Sequence, residues 1–434
     1  MTPSTTADQT RNRNAYVPDA KPKQAPVSWT AKTRLAIWVG LVGTLVSFLC
    51  LAIPMYVIRP FRPQDPWQLD VALTVRALAP WISAGCTIAT LAVLVRAWQD
   101  QMRLWLRCVL AALSLVAVVG AVLTHVNVFE IMFHPYPEPA FESAASAKVD
   151  SDDKVLSVTL HGESRAYPIR TLGYHHIVND TVGNSSIAVT YCTLCHTGLV
   201  WSRMVAGQTL HFRLAGINNG NALMRDEETS SIWQQSTGTA IFGQLKGRQL
   251  QLLHCDELTF SQWRKEEPNG LVLKPDARYA SEYDDKNWEK QVEQTRTVVD
   301  TSKSGISPHE LMLGVTAAGE SKAFPVKSIL AAKLIQEPMA NIHLVLVVGP
   351  DHVSIRAFKA GNGAEPMVFV STGDSTPPGA GAVMRDAETG SNFNFQGCAI
   401  DGTLAGRCLE PLDSFKDYWF DWMNHHPGTL VFRS

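Results

Sequence analysis

Three apolar stretches in the first third of the chain constrain it more than any other feature. Residues 35–58 (LAIWVGLVGTLVSFLCLAIPMYVI), 78–95 and 104–126 have about the length needed to cross a bilayer, roughly 20 apolar residues. The first carries no charge, and it is too long and starts too far into the chain to be a cleaved signal peptide. Arg107 lies one turn inside the third, where a long side chain snorkels to the head groups. A charged fraction of 18%, below the quarter usual for a soluble domain, agrees with an embedded segment.

Basic residues orient such a segment. Arg11, Arg13, Lys21, Lys23, Lys32 and Arg34 precede the first span, and Arg96 and Arg103 lie between the second and third. Arg59 and Arg62, after the first span, are a weaker competing signal. The expectation is an inner (cytoplasmic) membrane protein with a cytoplasmic N-terminus and everything beyond Val126 periplasmic. That compartment permits disulfides and covalent haem. A net charge of −2 excludes a chain built mainly to hold nucleic acid, which needs a basic face. Arg76, before the second span, reads as an interface marker, with contact to a bound quinone or partner as the alternative.

Beyond the spans the chain repeats itself. VLSVTLHGESRAYPIRTL from Val155 lies over MLGVTAAGESKAFPVKSI from Met312, and MRDEETSSIW from Met224 over MRDAETGSNF from Met384. GTAIFGQLKGRQL from Gly238 lies over GCAIDGTLAGRCL from Gly397, and Trp263 with Pro268 over Trp422 with Pro427. The offset stays between 157 and 160 residues throughout, the mark of a duplicated unit. Short β-branched runs with tight turns dominate both copies, and helical pattern is confined to IRTLGYHH, LTFSQWRKE and SFKDYWFDWM. The predicted fold is α+β. A β-rich outer domain of two duplicated units follows an all-α segment of three transmembrane helices. The expected division is a disordered tail (1–33), three helices (34–126), a linker (127–153), a first unit (154–273), a connecting segment (274–306) and a degenerate second unit (307–434).

Duplication provides a control within one chain. Features present in both units are candidates for scaffold, and features of one unit are candidates for chemistry. Asp226 and Asp386 recur beside Arg225 and Arg385, so a turn or salt-bridge role is expected for them. Met224 and Met384 recur as core. The first unit alone carries YCTLCHTG, Tyr191 to Gly198, and His175-His176 where the second has Ala-Lys. Trp233 and Gln235 stand where the second has Phe393 and Phe395. The chemistry is therefore expected in the first unit.

Cys192-x-x-Cys195 follows a β-run, so both sulfurs converge from one turn. Such a pair binds a soft metal, cycles between dithiol and disulfide, or, with His196, matches the c-type haem attachment pattern. A structural disulfide is the bland alternative. One pair is too few for a four-cysteine zinc site, whereas copper needs only two thiolates and one imidazole. His175 is the first candidate imidazole, His176 the second and His196 the third. Cys50, Cys86 and Cys108 read as small apolar groups in the spans. Cys398 and Cys408 flank a turn and are expected to form a disulfide, and Cys255 is expected as a buried thiol.

Together VTYCTLCHTGLVW, LGYHHIVNDTVG, NALMRDEETSSIWQQ and GTAIFGQLKG resemble the DUF3179 family, a prokaryotic domain of unknown function. The resemblance covers most of residues 130–434. The family pattern runs approximately HEIVND, TYCPLCGTG, MYDRxTGSxWxQ and AIxGPLxG. On it His175 matches the family histidine, Cys192 and Cys195 the cysteines, Asn179 and Asp180 the Asn-Asp pair, and Trp233 and Gln235 the last motif. His176 stands where the family usually has Glu, and His196 where it usually has Gly, which weakens haem. The resemblance implies His175, Cys192 and Cys195 as the trio and implies no particular reaction.

The expected function is a membrane-anchored, extracytoplasmic copper oxidoreductase or copper handler, metal-dependent if it is an enzyme. A c-type haem electron-transfer protein and a non-catalytic binding or assembly module are the alternatives. The partners expected are the lipid bilayer and a membrane or periplasmic redox protein. No Gly-x-Ser-x-Gly elbow or phosphate-cradling loop is present to support a hydrolase or a nucleotide enzyme.

Overall fold

The structure, a computed structural model, describes Met1 and residues 30–136, 138–362, 365–372 and 381–433. Most of the tail expected over 1–33 lies outside the described residues. Helix α1 (Ala31–Val57) begins within its last residues, and is followed by α2 (Pro66–Gln99) and α3 (Leu104–Leu123). All three are long and apolar enough to cross a membrane. Large apolar side chains face outward, among them Trp38, Phe48, Trp81, Ile88 and Leu115. Small residues bring the helices together: a Cβ on Gly43 would lie 2.9 Å from the Thr90 methyl.

The second helix is much longer than the span read from hydropathy. At 1.5 Å per residue its 34 residues extend about 51 Å, against a hydrocarbon core of roughly 30 Å. Its first turns project from the bundle, and Leu69, Ala72 and Leu73 pack on Ala215, Leu223 and Ile232 of the β-rich region. Gln64, between α1 and α2, accepts from Asn218 at 3.0 Å, and its backbone N–H donates to Asn219 Oδ1 at 2.8 Å. Asn127 donates to the Leu214 carbonyl at 2.8 Å. The helical bundle and the β-rich region are therefore joined through residues 214–219, and the segment 127–153 is not their only link.

In the β-rich region, strands Lys154–Leu160 and Glu163–Pro168 form a hairpin with Val155 opposite Pro168. The helix Ile169–His175 follows, and then the hairpin Ile177–Val182 with Ser185–Cys192. The first hairpin is flanked by Asp256–Thr259, antiparallel, and Leu271–Leu273, parallel. The same arrangement recurs downstream. Leu311–Ala317 pairs with Glu320–Pro325, Met312 standing opposite Pro325, and the helix Val326–Ala332 follows. Ser414–Tyr418 flanks this hairpin antiparallel, and Leu430–Val431 flanks it parallel. Proline closes both hairpins because its fixed φ suits the position before the first helical turn. Asp226 and Asp386 each accept from the backbone N–H and hydroxyl of the threonine three residues on, so both hold turns. Cys398 and Cys408 are disulfide-bonded across their turn, and Cys255 is a buried free thiol.

The two halves face each other across charged contacts. Arg356, from strand Ile355–Asn362, lies 2.8 Å from Asp256 and 2.9 Å from Glu266. Lys416 lies 2.9 Å from Glu257. His254 stands between Asp256 at 3.6 Å and Asp413 at 3.5 Å. Burial works against the charge on its imidazole, but those two carboxylates outweigh it and raise its pKa to about 9.

Two outcomes follow from these contacts. Arg356→Ala removes the guanidinium that pairs both Asp256, which keeps His254, and the partly buried Glu266, and should destabilise the protein by about 1–3 kcal/mol in denaturant unfolding. For His254 the folded pKa lies above the ordinary 6.5, so its contribution is fully present below that pH and is lost as pH rises through about 9. A Tm series from pH 6 to 10 should fall more steeply for the natural protein than for His254→Gln.

Candidate functional site

Strand Ser185–Cys192 ends at the first cysteine, and the chain turns through His196, whose φ is +62°, into strand Thr197–Ser202. This tight reversal places Cys192 Sγ 2.8 Å from Cys195 Sγ. Both thiols approach the Gly220 carbonyl, at 3.5 and 3.1 Å. Gly220 has φ +104°, and a Cβ there would lie 2.8 Å from the Phe420 ring, so only glycine brings that carbonyl under the sulfurs.

The second half of the chain completes the site. The backbone N–H of Tyr418 donates to the Cys195 carbonyl at 2.8 Å. The helix Trp419–His425 then carries Asp421, fully buried, over the pair. The Asn221 amide reaches Cys195 Sγ at 3.5 Å, Asp421 Oδ2 at 3.0 Å and Gln235 Oε1 at 3.0 Å, linking sulfur to carboxylate. Ser236 donates to the same Asp421 oxygen at 3.0 Å, and Thr197 donates to Asp417 at 2.8 Å. His425 lies 3.4 Å from Asp421 Oδ1.

Burial drives the electrostatics. It pushes the Cys195 thiol well up, helped by the hydrogen bond with Cys192 and by the charge of Asp421. It also pushes Asp417 well above the carboxylate range, with Asp421 the next cause. Two carboxyl groups buried together retain a proton because both cannot ionise cheaply. The site therefore gathers two thiols and two carboxyl groups in one buried cluster.

Of the residues expected to act with the cysteines, the structure brings none into a three-ligand cluster. Among the described residues, only Asp150, Asp152 and Asp153 gather three possible metal-ligand atoms within 4.8 Å of one another, and they are largely exposed. His175 is buried elsewhere. Its Nδ1 bonds the His134 carbonyl and its Nε2 bonds the Tyr283 hydroxyl at 2.6 Å. Tyr136, Tyr174, Tyr279 and Tyr283 surround its ring, so His175 ties the connecting segment to the first unit.

His176 is a cap residue with φ +63° and shares with Cys192 the wall of an apolar cavity of about 460 Å³. Burial lowers its pKa to about 4, so its imidazole is neutral. His196 is enclosed by Tyr191, Trp288 and Tyr418, with Glu257 and Glu289 each 3.8 Å from a ring nitrogen. A porphyrin joined to both sulfurs and ligated by His196 needs the space those rings fill. The residues present do not fit haem c.

Asp417, Asp421, Asn221 and Gly220 were not singled out by sequence, and two of them, Asp417 and Asp421, come from the later part of the chain rather than from the unit that carries the cysteines. A signal was available in the repeat, where Asp417 and Asp421 stand in place of Leu258 and Gln262.

A family described as "Protein of unknown function (DUF3179)" matches residues 136–429, and the chain belongs to it. Among curated proteins and among solved structures nothing matches.

The carboxylate raises the Cys195 pKa, so Asp421→Asn should lower it. Alkylation of Cys195 at fixed pH, followed by mass spectrometry in Cys192→Ser, should quicken about tenfold for each unit of that decrease.

Proposed function

We propose that this chain is a membrane-anchored, extracytoplasmic dithiol–disulfide protein in which Cys192 and Cys195 form the redox pair. The observation that carries this reading is the 2.8 Å approach of two buried sulfurs beneath a pair of buried carboxyl groups. Oxidation of two thiols to a disulfide releases two electrons and two protons. The Asn221 amide, which donates to Cys195 Sγ and to Asp421 Oδ2, is positioned to hydrogen-bond the sulfur as it becomes a thiolate. Cys192 lines the cavity and Cys195 does not, so Cys192 meets the partner molecule and Cys195 closes the bond.

Orientation supports the reading. The basic residues before α1 and between α2 and α3 favour a cytoplasmic N-terminus and a periplasmic β-rich region. The Cys398–Cys408 disulfide is at home in such a compartment. The 157–160-residue repeat and the matching hairpins favour duplication of one unit, with the redox pair kept in the first copy and its carboxyl groups supplied by the second.

A soft-metal site, copper above all, is the second reading and uses the same sulfurs. It is favoured by the neutral His176 imidazole on the cavity wall beside Cys192. His176 would have to turn toward the pair for three ligands to close on one ion.

Thiol counting of the full chain in detergent, with alkylation before and after dithiothreitol, tests the first reading. A reversible change of two thiols is expected, absent from Cys192→Ser and Cys195→Ser and independent of added copper. Retention of one Cu(I) per chain after reduction, lost in Cys192→Ser and in His176→Ala, would replace it with the metal reading.

A further inference from the structure

The cavity that Cys192 lines lies between the membrane bundle, the segments at its outer end and the β-rich region. Cys50, Pro54 and Met55 of α1, Ile58 at its C-cap and Ala79 of α2 line it, together with Gly216 and Gly220 of the β-rich region. Its lining is predominantly apolar, with a few polar residues that include Arg59, Arg76, Asn127, His176 and Cys192. A volume of about 460 Å³ falls within the roughly 300–1,000 Å³ of small-molecule sites. The bundle residues belong to helix segments next to the β-rich region, so the cavity sits where the membrane meets the outer domain.

We propose that this cavity takes the ring of a membrane-borne quinone, which exchanges electrons with Cys192 and Cys195. The inference rests on the dithiol reading and names the partner of that site. A dithiol requires a carrier of two electrons and two protons, and quinones are such carriers that dissolve in the bilayer. A purely structural lipid would need only the apolar walls. The cavity lining instead includes Cys192, the His176 imidazole and Arg76, whose guanidinium is bonded to the Ala215 carbonyl.

The reaction balances. The S–H bonds of Cys192 and Cys195 break and one S–S bond forms. Two electrons pass to the quinone, and the two thiol protons end on its oxygens as it becomes a quinol. The reverse reaction reduces the disulfide with a quinol.

Gly216 provides a way to fill the cavity, because a Cβ there would lie 2.7 Å from the Ile58 side chain. The test uses the reduced full-length protein in lipid nanodiscs, with diamide as a soluble oxidant and a short-chain benzoquinone as the probe. Consumption of one quinone per two thiols is expected, abolished in Cys192→Ser and slowed at least tenfold in Gly216→Leu, whose folding is checked by its Tm. A photoreactive azidoquinone should label the natural protein within residues 50–58 or 123–133. Closure of the disulfide by diamide without quinone consumption overturns the inference and leaves the dithiol reading standing. Labelling spread over the lipid-facing surface also overturns it, and makes the cavity a lipid site. Failure of diamide itself to close the pair removes the dithiol reading, and this inference with it.

Discussion

Burial of two thiols and two carboxyl groups in one place is the constraint on which the rest of this structure depends. None of these groups carries charge cheaply in a medium of low dielectric, so each needs a neighbour that hydrogen-bonds it or a proton that neutralises it. Asn221 meets the need by touching Cys195, Asp421 and Gln235 with one amide. Gly220 meets it by offering a carbonyl to both sulfurs. Both residues stand where the strand Phe212–Asn218 turns back into Asn221–Asp226. Just before that turn, Asn218 and Asn219 are hydrogen-bonded to Gln64 in the loop between the first two membrane helices. The cysteine pair is thus one short turn away from the contact with the bundle.

The inter-unit contacts have the same logic at larger scale. Arg356, Lys416 and His254 are each matched by carboxylates of the facing unit or of the boundary between units. Such pairs contribute little as isolated surface contacts. Here they align the helix Trp419–His425 over a site that its own unit does not contain. Two hairpins of matching register thus stand on either side of one cluster: the strands after the first present Cys192 and Cys195, and the helix after Ser414–Tyr418 presents Asp421.

Much of this was legible in the residues themselves. The three apolar runs appear as helices, and the Pro168 and Pro325 hairpins share one register, as their aligned sequences imply. The Cys398–Cys408 pair closes across its turn, because the Gly-bearing reversal within the intervening AIDGTLAGR brings the two cysteines back together. The site was legible only at Cys192 and Cys195, whose spacing is local. The direction of the His175 ring was not legible, because sequence proximity and family resemblance carry no orientation. The short helix Ile169–His175 turns its ring toward Tyr283 in the connecting segment, 108 residues away in the chain.

Sequence alone determined what is short-range or periodic here: the membrane helices, the alternating strands, the repeat offset and the convergence of two cysteines from one turn. Tertiary structure decided what those parts meet. It brought Asp421 to Asn221 across 200 residues. It extended α2 beyond the bundle onto the β-rich region, and opened an apolar cavity between membrane helices and the first sulfur. Periodicity records which face of an element avoids water. The partner of that face is set by packing the whole chain, where contacts distant in sequence compete for the same buried space.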